Sequence, residues 1–159
     1  MRARALFAAA VGALLLVVAS PAVAKVGIAE AHISGPGLGE AGLHITPPAT
    51  EGMWDAGLDW AGGLDNRRGD SIAALGLTAD ELGPRYVITY RLDAGTKAAE
   101  IVRQELYPYA KDGPITYTPA GQRIAEGLPW EGAISTGWYQ SSLKFFHYLM
   151  NQGLPDPTS

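Results

Sequence analysis

Two histidines in the first part of the chain, His32 and His44, have the spacing best suited to joint chemistry. They flank the segment 35–39, Gly-Pro-Gly-Leu-Gly, which predicts a turn because proline fixes φ and glycine allows positive φ. If the flanking strands pair so that Ser34 faces Gly42, the two histidines face each other. Their Cβ atoms would then lie about 4.5–5.5 Å apart, close enough to share one metal ion.

Glu30 falls on the same strand face as His32 and would add an oxygen ligand. Two imidazoles and a carboxylate suit Zn²⁺ or Cu²⁺. The sequence thus offers a metal site formed by His32, His44 and Glu30, with a solvated polar strand face as the plainer alternative.

Several aromatic residues occur near turns and prolines, where exposed rings could stack on a sugar or on a hydrophobic ligand or peptide. If they are buried, the same rings are core. The candidate ligand-binding residues are Trp54, Trp60, Tyr107, Tyr109 and Trp130.

Two weaker patterns favour structural roles. Four aspartates in a glycine-rich stretch lack the ligand order and the closing glutamate of a calcium loop; they are Asp55, Asp59, Asp65 and Asp70. Ser135 stands one residue away from the position of a hydrolase nucleophile, so we expect Ser135 and Thr136 to cap a helix instead.

Alternation of apolar and polar residues predicts strands at 28–34, 43–45, 85–92 and 115–118. The segment 97–107 has helical spacing as well, but the turn before it favours a strand that pairs back.

An apolar stripe after Thr136 predicts a helix that runs to about Gln152, followed by Gly153 as the terminating residue. Thr78 and Glu81 have capping-box spacing, which predicts about one turn of helix there.

These elements predict an α+β fold, in which an antiparallel β-sheet of about four to six strands packs against the C-terminal α-helix. We expect the loop from Trp54 to Ser71 to cover an edge or an end of that sheet.

Residues 1–24 have the order of a secretory signal peptide. Arg2 and Arg4 precede an apolar run over 5–19, and small residues lead up to Ala24. Because that run is shorter than the roughly 20 residues that span a bilayer, we expect cleavage and no stable membrane span afterwards. The expected location is outside the cell or in its envelope.

Residues 25–159 are expected to form a single globular domain. The chain contains no cysteine, so disulfides and thiolate sites are excluded. Its net charge is −4 and its basic residues are scattered, which disfavours nucleic acid as a partner.

Three segments carry a resemblance: Leu82 to Tyr86, Gln104 to Ala110, and Gly113 to Thr118, which read LGPRY, QELYPYA and GPITYT. Together they resemble small exported proteins of unassigned function from high-GC Gram-positive bacteria. The resemblance implies export and supports the strands. It implies no activity and no site residue.

No set of acid, base and nucleophile has a recognisable spacing, and no cofactor motif occurs. The sequence therefore favours a secreted, non-enzymatic binding or interaction domain over an enzyme. An envelope glycan, a hydrophobic small molecule or another protein would be its ligand. The alternative is a metal-assisted extracellular hydrolase that uses His32 and His44.

Overall fold

A computed structural model describes residues 27–55, 68–93, 100–124, 132–133 and 135–156. The expected signal peptide lies outside this part of the chain. The strands are β1 (Gly27–Ser34), β2 (Leu43–Ile45), β3 (Arg68–Gly69), β4 (Tyr86–Asp93), β5 (Glu100–Tyr107), β6 (Ile115–Thr118), β7 (Arg123–Ile124), β8 (Gly132–Ala133) and β9 (Gly137–Gln140). The helices are α1 (Ala49–Asp55), α2 (Leu143–Asn151) and two 3₁₀ turns, η1 (Ile72–Leu75) and η2 (Ala79–Glu81).

The described residues form a seven-stranded antiparallel sheet and a C-terminal helix, as the predicted α+β class requires. The strand order is β2-β1-β4-β5-β6-β9-β3, and β7 pairs with β8 in a separate two-stranded sheet. Strands β2 and β3 at the two edges have only three and two residues, which limits the exposed backbone at each edge.

The two faces of the sheet follow from the alternation of β4. Tyr86, Ile88, Tyr90 and Leu92 are buried on the inner face, and Arg91 is exposed on the outer face. On β1 a bulge between Ile28 and Glu30 shifts the alternation. For this reason Ile28 is buried as well, a detail that strict alternation does not predict.

The main core cluster contains inward-facing residues of the sheet together with Met53 of α1 and Phe145 and Leu149 of α2, all fully buried. A buried polar network extends the inner face towards β6, because the side-chain amide of Gln104 bridges Tyr90 and Thr118.

A second apolar cluster lies on the outer face, at the β5–β6 half of the sheet. Tyr107 and Ile115, which pair across these strands, contact Leu75, Leu77 and Leu82. The segment 72–82 thus covers one half of the outer face. Within the described residues, no helix is both long and apolar enough to cross a membrane.

The four strands predicted from alternation are confirmed as β1, β2, β4 and β6. The strand favoured over 97–107 is confirmed as β5. The predicted number of strands is too low, because β3 and β9 also belong to the sheet. Residues Arg68–Gly69 of the expected covering loop pair with β9 at the sheet edge, whereas 56–67 lie outside the described residues.

The predicted start of the C-terminal helix is wrong. Residues Gly137–Gln140 form β9, where Trp138 pairs with Tyr117 of β6 and their ring centroids are 4.7 Å apart. The helix begins only at Leu143, and the Ser142 hydroxyl caps it by accepting the backbone N–H of Phe145 at 3.0 Å. Pairing with β6 therefore overrides the helical spacing of this stretch, and Ser135 and Thr136 do not cap the helix.

Candidate functional site

The hairpin of β1 and β2 has the register that the sequence predicts, with His32 directly opposite His44. Ile33 and Ile45 are buried on the inner face. His32 and His44 directly precede them, and successive residues of a strand point to opposite faces, so both histidines face outward. The turn depends on Gly42, whose φ is +67°, a left-handed conformation that favours glycine. A Cβ added there would lie 2.4 Å from His32 Nε2 and 2.5 Å from the Ile33 carbonyl oxygen.

The two imidazole rings lie against each other, with centroids 4.4 Å apart and an interplanar angle of 37°. Nε2 of His32 and Nε2 of His44 each lie 3.1 Å from the same atom, the backbone carbonyl oxygen of Ala41. One backbone oxygen of the turn is therefore within hydrogen-bond distance of both rings.

Glu30 lies behind His44 rather than between the rings. Its Oε1 accepts a hydrogen bond from His44 Nδ1 at 3.1 Å, and its Oε2 accepts one from Arg91 Nε at 3.3 Å. The hydrogen bond to His44, and then that to Arg91, lowers the pKa of Glu30, although partial burial acts in the opposite direction. Glu30 is therefore a carboxylate that orients His44.

The structure brings His32, His44 and Glu30 together but does not aim all three side chains at one point. Among the residues that the structure describes, no group of three or more histidine, aspartate or glutamate side chains could hold a metal ion. The metal site of the sequence analysis stays a prediction. His147, the remaining histidine of the chain, is exposed on α2.

The histidine pair continues across the sheet as one row of outward-facing residues. His32 pairs with Thr89 of β4, and Thr89 pairs with Arg103 of β5. Arg103 is exposed, and within the described part of the chain its guanidinium forms no salt bridge. The row therefore ends in an exposed cation. We call the surface formed by His44, His32, Thr89, Arg91 and Arg103 the open face.

Two further rows of paired residues lie on either side of the row from His44 to Arg103. In the first, Arg91 of the open face pairs with Ile101, which is one of the most exposed large apolar residues at 64%. On the other side Arg85 Nη1 lies 2.9 Å from Glu105 Oε1, and Glu105 also accepts the Tyr107 hydroxyl at 2.7 Å. Burial and this contact with Glu105 raise the pKa of Tyr107.

The aromatic residues proposed from the sequence do not gather on the described surface. Tyr107 is buried against Trp138 and the segment 72–82. Tyr109 is half-buried, and its hydroxyl donates to the Pro155 carbonyl oxygen; burial is the main cause that raises its pKa to about 12. Trp60 and Trp130 lie outside the described residues, and so does the side chain of Trp54. The aromatic ligand site therefore stays a prediction.

Sequence reasoning missed the two parts of the site that depend on tertiary structure. Arg91 and Arg103 come from strands far along the chain, and only the adjacency of β1 and β4 places them beside the histidines. The Ala41 oxygen is a backbone atom and has no signature in the sequence. The one available signal was the outward position of Arg91 in the alternation of β4.

The fold and the site together define an antiparallel α+β protein with a polar, partly basic open sheet face. No protein-family model, no curated protein and no solved structure matches the chain.

Proposed function

We propose that the protein is a non-enzymatic binding protein, exported to the cell envelope or beyond, and that its ligand binds on the open face. We also take α2 to dock on the inner face, which the shared burial of Phe145 and Leu149 with the sheet supports. The main core cluster then lies on the inner side of the sheet. On the outer side, β2, β1, β4 and the part of β5 that the segment 72–82 does not cover face solvent.

The observation that carries the proposal is the row from His44 to Arg103. Its side chains come from four adjacent strands, so their spacing is fixed by the hydrogen-bonded sheet rather than by a loop. Sites on such elements are geometrically precise, and they need little ordering when a ligand binds.

The charge of the open face indicates a carboxylate-bearing ligand. Arg91 is 52% exposed although it contacts Glu30, and Arg103 has no described salt-bridge partner. A guanidinium forms paired hydrogen bonds with a carboxylate, and the chain as a whole is acidic, so this face is where an anion would bind. An acidic envelope glycan and an acidic protein segment share this chemistry.

A binding titration tests the proposal. Polygalacturonate represents an acidic glycan, poly-glutamate represents an acidic protein segment, and neutral dextran is the uncharged control. Arg103→Gln should weaken binding of the acidic ligand about ten-fold, because it removes a charge-assisted hydrogen bond. Lys144→Gln is the matched control, since it removes one positive charge from α2 and should change binding less than about two-fold. Absence of binding to both polyanions, or equal effects of the two variants, would refute the proposal.

A second candidate, a metal-assisted hydrolase that uses His32 and His44, is favoured by the convergence of two imidazoles on one turn. Its first requirement is a bound ion. Metal analysis of the purified protein should then find stoichiometric zinc or copper that is lost in His44→Ala, and metal-free protein removes this candidate.

A further inference from the structure

An aliphatic side chain lies beside the two arginines of the open face. Ile101 of β5 points outward, because its neighbour Val102 is fully buried on the inner face, and 64% of Ile101 is exposed. It pairs directly with Arg91 of β4, and Arg103 follows it two residues along β5. A ligand that reaches either arginine therefore meets this apolar residue as well.

The spacing of Ile101 and Arg103 is that of one strand. Both are exposed, whereas Val102 and Gln104 are buried, so the two side chains lie on the same face. Residues two apart on a strand are separated by about 6.4–6.8 Å. The outer side of β5 thus presents an apolar group and a cation at the side-chain repeat of an extended polypeptide.

The side chain of Gln122 fixes the backbone at Arg103. Pairing of β5 with β6 covers only Glu105 to Tyr107, so Arg103 lies beyond the end of β6. There Gln122 Oε1 accepts the Arg103 backbone N–H at 2.6 Å, and Gln122 Nε2 donates to the Arg103 carbonyl oxygen at 2.8 Å. The position of this cation relative to Ile101 is therefore set before a ligand binds.

The charges around this pair make Arg103 the main anchor for an anion. Glu105, two residues further on, contacts Arg85 Nη1 at 2.9 Å, and Glu30 contacts Arg91. Both carboxylates therefore have a cationic partner. In the part of the chain that the structure describes, the Arg103 guanidinium has no such counter-ion.

We propose that the ligand of the open face is an extended, acidic protein segment, in which an apolar side chain contacts Ile101 and a carboxylate two residues along binds Arg103. This inference rests on the proposed function and narrows it from carboxylates in general to a polypeptide. Side chains two apart in an extended segment point the same way, at the spacing of the two residues on β5. An acidic glycan gains less here, because a branched aliphatic side chain offers no flat ring on which a sugar could stack.

The experiment compares two synthetic peptides of identical composition by fluorescence anisotropy. The first has four repeats of Leu-Ser-Glu-Ser, so that leucine and glutamate share one face of the extended chain. The second has four repeats of Leu-Glu-Ser-Ser, which places them on opposite faces. The first should bind about ten-fold more tightly, because only this peptide can bury a leucine on Ile101 while its carboxylate reaches Arg103.

Variants assign the preference to Ile101. Ile101→Thr should weaken binding of the first peptide about five- to ten-fold and change binding of the second by less than about two-fold. Threonine is β-branched and the site is exposed, so the strand should be retained, as backbone amide spectra would show. Leu143→Gln is the matched control, because it removes a side chain that is 60% exposed on α2, and it should change neither affinity more than about two-fold.

Equal affinity for the two peptides would overturn the inference, as would equal effects of Ile101→Thr and Leu143→Gln. If polygalacturonate still binds and still depends on Arg103 in that case, the proposed binding of carboxylates stands and only the assignment to a polypeptide falls. Loss of Arg103-dependent binding to every acidic probe would instead overturn both.

Discussion

The buried amide of Gln104 should couple energetically to the hydroxyl of Tyr90. Gln104 is fully buried on β5; its Oε1 accepts the Tyr90 hydroxyl at 3.1 Å and its Nε2 donates to Thr118 Oγ1 at 2.8 Å. Both contacts join neighbouring strands on the inner face. A buried polar side chain with this arrangement stabilises the fold only while its partners remain.

The structure sets the size of the effects. Gln104→Leu removes both hydrogen bonds and deprives two buried hydroxyls of the amide, at about 1–3 kcal/mol for each bond. After the gain from burying leucine, we expect a net loss of about 2–4 kcal/mol in the free energy of unfolding. Tyr90→Phe alone should lose about 1–2 kcal/mol, because Gln104 Oε1 loses its donor.

The test is a double-mutant cycle measured by urea unfolding with tryptophan fluorescence. In the Gln104→Leu background, Tyr90→Phe should cost less than it does alone, so the two losses should fall short of additivity by about 1 kcal/mol or more. Tyr86→Phe is the matched control: Tyr86 is buried on the same face of β4 but pairs with Leu106. Additive losses for Tyr90 and Gln104, within about 0.5 kcal/mol, would refute the reasoning.

Two further predictions concern the ends of helices. Ser142→Ala should lower the free energy of unfolding by about 1 kcal/mol, because it removes the side chain that caps α2. Thr136→Ala, the control, should change the free energy of unfolding by less than about 0.5 kcal/mol. Equal losses for the two variants in urea unfolding would show that Ser142 does not stabilise α2 as its cap. Glu81 accepts hydrogen bonds from Lys111 and Thr78, which lower its pKa from 4.5 to about 2, so the stability it adds is present above about pH 4.5 and is lost as the pH falls towards 2. Glu81→Gln should therefore flatten the fall of the urea midpoint between about pH 5 and pH 3, and an unchanged slope would contradict this assignment.

The sequence predicts the histidine pair because the hairpin is a local structure. The apolar residues Ile33 and Ile45 must face inward, and a slip by one residue would expose them. The glycine-rich turn limits the remaining registers. His32 and His44 therefore face each other for reasons that lie within twenty residues of chain.

The segment 137–140 could not be assigned in the same way. Its aromatic residues fit a helical stripe with the residues that follow, and they equally fit a strand. The choice depends on β6, where Trp138 meets Tyr117, and on the edge strand β3. Non-local pairing of this kind has no signal in the local pattern.

By itself the sequence determined the strands with clear alternation, the turn between β1 and β2, and the outward position of both histidines, since each follows from local backbone preference and the burial of apolar residues. Only the tertiary structure decided which residues surround the histidines. The order of the sheet places β4 beside β1, so Arg91 and Arg103 join the open face, and the turn aims the Ala41 oxygen at both rings. These contacts link distant parts of the chain or involve backbone atoms, and their cause is the packing of the whole sheet.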